Sequence, residues 1–108
     1  MSITINIYYR SDEPCSAVEF AEEMERRGIA DRIRAERGNL RYEYFTPLHD
    51  KNTILLIDCW EHQAALDAHH APSMMAEIAA LREAYDLHMR VERLFSEEDE
   101  PDSKYIRT

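Results

Sequence analysis

The sequence predicts an α+β domain of ferredoxin-like βαββαβ topology, an antiparallel sheet that carries its helices on one face. Three observations predict it. Four stretches alternate apolar and polar residues with a period of two, the spacing of a half-buried strand. Between them, two stretches repeat apolar residues at three, four and seven, the spacing of an amphipathic helix. The stretches follow one another as strand, helix, strand, strand, helix, strand.

Each element has its own signal. Ile3, Ile5, Ile7 and Tyr9 alternate with Thr4, Asn6, Tyr8 and Arg10 in the first strand. Pro14 suits the first turn of the following helix, where its missing N–H costs nothing. Ala17, Phe20, Ala21 and Met24 form that helix's stripe; Gly28 ends or kinks it, Ile29 and Ile33 continue it, and Gly38-Asn39 stops it. Leu40, Tyr42 and Tyr44 alternate with Arg41 and Glu43 in a second strand, and Pro47 to Asn52 is a turn. The third strand, Thr53 to Trp60, puts Ile54, Leu56, Asp58 and Trp60 on one face and Leu55, Ile57 and Cys59 on the other. Glu61 to His70 reads as a short helix with Ala65, Leu66 and His69 on one side; after Pro72-Ser73 a second piece carries Met74, Ile78, Leu81 and Tyr85. Leu87, Met89, Val91, Arg93 and Phe95 alternate with His88, Arg90, Glu92 and Leu94 in the last strand.

A chain of 108 residues is one domain. The fold is expected over residues 1–95, and residues 96–108, with five acids, two bases and Pro101, are expected to be an acidic solvated tail. So small a domain hides only a modest core, and a sheet face without helices needs cover, so a homodimer pairing sheet to sheet is expected. The net charge of −9, with no basic run longer than Arg26-Arg27, excludes a nucleic-acid partner and a polybasic membrane patch. Apolar runs such as Ile54 to Ile57 fall far short of the ~20 residues of a bilayer span, and no secretory signal pattern is visible, so no membrane partner and a cytoplasmic location are expected. Two glycines, Gly28 and Gly38, are too few to cradle a nucleotide cofactor's phosphates. Cys15 and Cys59 have no Cys or His at a zinc-ligand spacing and are expected to be reduced thiols.

The unusual side chains gather between Ile54 and His70, where the third strand passes into a helix. Taken alone, Trp60 reads as a core residue whose N–H finds a partner, and Asn6 as a group that satisfies the backbone or faces a partner subunit. His69 and His70 lie ~100° apart on a helix, so at most one points into a pocket. His49, His62 and His88 read as surface residues, and Met74-Met75 as core filler. Asp58, His62, Asp67 and His69 are the only metal-ligand candidates; His62 and His69 stand two turns apart, so no metal site is expected.

Four motif pieces carry a family resemblance: Glu36-Arg-Gly-Asn39-Leu-Arg-Tyr42-Glu, Asp58-Cys-Trp60, Leu66-Asp-Ala-His69, and Met74 or Met75. In this order, over residues 1–95, they resemble the antibiotic biosynthesis monooxygenase superfamily. The resemblance implies a dimeric α/β barrel with an apolar pocket between sheet and helices in each subunit. It implies oxygenation of a quinol, anthrone or similar phenolic or polyketide compound by O2 without flavin or metal, with no cofactor. Asn6, Trp60 and one of His69 and His70 are the catalytic residues it implies, His69 fitting the quinol branch and His70 a branch that degrades heme. Ser73 stands where the quinol branch often has a second His.

The chemistry can be stated from the residues. O2 reacts readily with an electron-rich enolate or phenolate, so a protein that deprotonates such a substrate needs no redox cofactor. A neutral His accepts that proton near neutral pH. Asn6 and the Trp60 indole N–H can donate to the developing oxyanion, and Tyr8, Phe20, Tyr42 and Tyr44 can supply flat apolar walls. Three alternatives stay open: a heme-degrading monooxygenase with heme as substrate, a small phospho-sugar isomerase of the same fold, and a non-catalytic module for an apolar ligand.

Overall fold

A computed structural model describes residues 1–70, 72–96 and 107; the expectation of an acidic tail falls almost wholly outside them. The elements are β1 (Ile3–Arg10), α1 (Ser16–Arg26), α2 (Ile29–Arg34), β2 (Asn39–Phe45), β3 (Thr53–Trp60), α3 (Gln63–His69), α4 (Pro72–Ala84) and β4 (His88–Phe95). The strands form one sheet in the order β2-β3-β1-β4, every neighbouring pair antiparallel. This is the ferredoxin-like α+β arrangement, with each helical connection split in two. Gly28 makes the first split with φ +74°, a left-handed conformation that glycine adopts at no steric cost. Pro72 opens α4 after α3 ends at His69. Pro14 lies in the turn ahead of α1 rather than in its first turn, and the buried Ser11 hydroxyl instead accepts from Ala17 N at 3.2 Å.

Period-two alternation sets what the two faces carry. Ile3, Ile7 and Tyr9 of β1, Ile54, Leu56 and Trp60 of β3, and Tyr42 of β2 are buried beneath the helices. Ala17, Phe20, Ala21 and Met24 of α1, Ile29 and Ile33 of α2, and Ile78 and Leu81 of α4 complete that core. The other face presents Thr4, Asn6, Tyr8, Leu55, Ile57 and Cys59, all only half-buried. On the second strand, register shifts between Asn39 and Arg41 and leaves Leu40 53% exposed, so the inward file there starts at Tyr42 and not at Leu40.

Gly38 joins the helices to the site. Its φ is +88°, and a Cβ built on it would stand 2.5 Å from the Cβ of Ala65 in α3. Its carbonyl accepts from Glu61 N at 2.8 Å, tying the end of β3 to the turn before β2. At Gly28 a Cβ would meet nothing within 4 Å. Gly28→Ala should therefore cost only the left-handed backbone penalty, about 1 kcal/mol. Gly38→Ala adds displacement of α3 and should cost at least about 3 kcal/mol. Urea unfolding of both variants checks this; equal losses would show that α3 does not need the missing Cβ.

Candidate active site

One pocket lies between the sheet and the α3–α4 side of the helical layer. It has a volume of about 310 Å³, and its walls are largely aliphatic, with Ile5, Ile7, Leu56, Leu66, Ile78 and Val91 among them. Its polar groups are few: Asp58, Tyr42, His69, His70, Arg82 and Arg93. That is the composition of a small-molecule site, apolar walls with a few placed polar groups, at the low end of the usual size.

His69 is the best-fixed of these groups. It is 5% exposed, and its ring stacks on Trp60 with centroids 4.8 Å apart and planes at 27°. Its Nδ1 lies 2.9 Å from Glu36 Oε2, in the turn after α2. A carboxylate can only accept, so Nδ1 carries the proton and Nε2 keeps its lone pair. Burial holds the imidazole below its ordinary value, with His70 and Arg82 pulling the same way and Glu36 opposing them. His69 is thus a neutral base with a fixed tautomer.

Asp58 is the second unusual group. It is 4% exposed, and its carboxyl is pushed up to about 7 by burial, with a smaller push from Glu36. The Trp60 indole, two residues along the same strand face, pulls it the other way without closing a hydrogen bond: Asp58 Oδ1 and Trp60 Nε1 are both buried and unpartnered. Neither arginine of the pocket neutralises it. Arg82 donates from Nε and Nη2 to the Tyr9 hydroxyl at 3.1 and 2.8 Å, and Arg93 donates to Gln63.

The structure brings together some of the expected residues and separates others. Trp60 and His69 meet, with Trp60 fully buried behind the imidazole rather than on the pocket wall. His70 also lines the pocket, its ring 5.5 Å from that of His69. Of the two, His69 is the buried one; His70, exposed and still bonded through its N–H to the Leu66 carbonyl at 3.2 Å, reaches the pocket from its solvent side. Asn6 stands directly opposite Ile57 and Glu92 in the ladder, on the face away from the pocket, with its Oδ1 buried and unpartnered. Strand alternation decides this: a side chain one residue from Ile5 and Ile7 cannot share their face. Tyr8 faces the same way, under the Arg90 guanidinium at 4.0 Å. Phe20 is core, packed on Tyr9 and Tyr85. Tyr42 lines the pocket, whereas Tyr44, its hydroxyl 3.2 Å from that of Tyr42, opens onto a separate groove beside α1. Sequence reasoning gave no site role to Glu36 or Arg82, because a turn and a helix 33 and 13 residues from His69 show no spacing signal.

His62, read as a surface residue, has a structural job: its Nδ1 accepts from Ala65 N at 3.2 Å and caps α3. Among the described residues no three His, Cys, Asp or Glu side chains are placed to hold a metal ion. None of the described helices is long and apolar enough to cross a membrane.

Fold and pocket define a small α+β domain with a buried imidazole, a buried carboxyl and an aliphatic cavity between sheet and helices. The chain belongs to the antibiotic biosynthesis monooxygenase family, whose profile matches residues 3–81. Among solved structures it is similar to SnoaB, a cofactor-independent oxygenase from Streptomyces nogalater (TM-score 0.74, 16% identity, 93% of this chain and 97% of that one). It is similar also to a candidate antibiotic biosynthesis monooxygenase from Deinococcus radiodurans (0.72, 20%, 92% and 95%) and to PA3566 from Pseudomonas aeruginosa (0.66, 26%, 89% and 95%). Comparison with curated proteins finds no match.

The Asp58 carboxyl makes stability depend on pH. Its folded value, about 7, lies above its ordinary value of 3.8, so between those limits the folded state binds the proton that the unfolded state releases. Stability from this group is complete below about pH 4 and is lost as pH rises through 7, by roughly 4 kcal/mol at most. Asp58→Asn removes the titration. The gap in unfolding free energy between Asp58→Asn and wild type should therefore widen in favour of the variant from pH 4 to pH 8; parallel pH curves would refute the raised carboxyl.

Proposed function

We propose that the chain is a cofactor-independent monooxygenase of a small quinol, anthrone or similar phenolic compound. The observation that carries this is His69: a neutral, buried imidazole with its Nδ1 proton committed to Glu36 and its Nε2 lone pair left to act at an aliphatic pocket. Nε2 takes a proton from the substrate hydroxyl or its activated carbon. The resulting anion is electron-rich and gives its electrons to O2, forming a carbon–oxygen bond; loss of water then leaves a carbonyl. In sum, a CH2 group and O2 become C=O and H2O. Family membership supports this reading, as does the likeness of the fold to a cofactor-independent oxygenase.

Residue roles follow from position. His69 is the base, and Glu36 sets its tautomer. Trp60 holds the imidazole plane by stacking. Arg82 lies close enough to depress the imidazole's basicity, so it is also placed to stabilise an oxyanion formed there. Tyr42 supplies a flat wall. Asn6 and Tyr8, on the far face, have no part in a single subunit's pocket. That face, with Leu55 and Ile57 half-buried and Leu94 49% exposed, is the surface on which a second copy would pack sheet to sheet. The small volume favours a compact phenol over heme, a planar macrocycle several times larger, and the aliphatic walls disfavour a phospho-sugar.

Dithranol, an anthrone, is a suitable probe. O2 uptake above its uncatalysed rate is expected, with the matching ketone as product. His69→Ala should lower kcat/KM by about 10²–10³-fold, and Glu36→Gln by about 10-fold or more. Because the base works unprotonated and burial lowers its value, kcat/KM should hold below pH 6.5 before falling. Since Glu36 raises the imidazole's value, Glu36→Gln should move that acid limb to lower pH still. A His69→Ala variant as active as wild type would refute the base and leave a binding module as the better reading.

A further inference from the structure

Asp58 is a buried carboxyl at the pocket for which the base mechanism finds no use. It sits on β3 two residues before Trp60, so its backbone lies about 7 Å along the same strand face from that of the residue whose ring stacks on His69. Its carboxyl is almost fully buried, lines the same cavity, and has an oxygen with no partner in the chain. An isolated carboxylate at such a place costs several kcal/mol, and the structure supplies no cation to offset it. Arg82 is turned to the Tyr9 hydroxyl, Arg93 to Gln63, and the Glu36 carboxylate only adds repulsion. Below about pH 7 the group is a neutral acid, and its buried Oδ1 has no partner until a ligand brings one.

Building on the oxygenase reading, we infer that Asp58 is the general acid of the pocket and acts on the substrate peroxide. Once the substrate anion has bonded to O2, the terminal peroxide oxygen carries the negative charge. Asp58 gives it a proton, which makes a neutral hydroperoxide and an Asp58 carboxylate. That carboxylate then removes the remaining hydrogen from the same carbon as a proton. The C–H electron pair becomes the second bond of the carbonyl and the O–O bond breaks. The departing hydroxide takes the proton that His69 collected at the start and leaves as water. Both groups return to their resting forms, two substrate hydrogens and one oxygen atom leave as water, and the other oxygen stays in the ketone. Just below pH 7 a neutral base and a neutral acid share the cavity, and that pairing suits this order.

The test uses the full chain and dithranol, following O2 consumption, hydroperoxide by ferrous oxidation and by the mass of substrate plus two oxygens, and ketone separately. Wild type should consume one O2 for each ketone formed. Asp58→Asn should keep O2 uptake within about 10-fold of wild type, while ketone formation lags by 10²-fold or more and hydroperoxide accumulates. Asp58→Ala should behave likewise, with added formate restoring ketone formation, which a purely structural role would not allow. The role is overturned if Asp58→Asn keeps the one-to-one yield at the wild-type rate, or if folded Asp58→Asn stops taking up O2 altogether, which would place Asp58 before the oxygen step. No uptake by wild type overturns the oxygenase reading itself, and this role with it.

Discussion

The pocket depends on how closely α3 approaches the turn before β2. Gly38 has no Cβ, and the space that one would fill belongs to Ala65. Four residues on from Ala65, and so on the same face of the helix, comes His69. Once the turn accepts Ala65, the imidazole lies against Trp60 and reaches back to Glu36, only two residues before Gly38. A backbone packing constraint thereby becomes a chemical one: the approach that seats the helix also selects the tautomer and aims the lone pair. His62 capping the start of α3 and Glu61 N bonded to the Gly38 carbonyl hold both ends of this short connection.

The fold was legible because alternation survives burial. Ile54, Leu56, Asp58 and Trp60 were readable as one file from spacing alone, and the same holds for the buried stripe of α1. The helical connections were harder to bound. Cys15 with φ +69° and Gly28 with φ +74° place helix starts that depend on local backbone conformation, which apolar spacing does not encode. The site was only half legible. Trp60 and His69 lie nine residues apart across one strand-to-helix junction, so a local motif can hold both. Glu36 and Arg82 arrive from other elements, and only tertiary packing makes them neighbours of His69.

Asn6 shows how a motif and a period can disagree. Family pattern places a carboxamide on the first strand, whereas the ladder pairs Asn6 with Ile57 and Glu92 on the face away from the pocket. The period must win, since moving Asn6 inward would turn Ile3, Ile7 and Tyr9 outward with it, and those three are buried core. On this sheet the polar positions that do face the pocket are Asp58, Tyr42 and Arg93.

Those polar positions raise the question of why a domain this small keeps such a corner. A buried donor or acceptor without a partner costs about 1–3 kcal/mol, a large share of the 5–15 kcal/mol that holds an ordinary domain folded. Trp60 Nε1 and Asp58 Oδ1 both go unpaired beside one cavity, where phenylalanine and leucine would pack at no such cost. Hydrophobic packing gives no reason to retain them, and neither does the sheet, since the ladder is satisfied by backbone alone. Their burial instead acts on chemistry. Burial raises the Asp58 carboxyl to about 7, and the two unpaired atoms leave hydrogen-bonding capacity that a polar ligand can use. The stability surrendered at this corner holds the Asp58 carboxyl near 7, whereas in water the same group would be fully ionised at neutral pH.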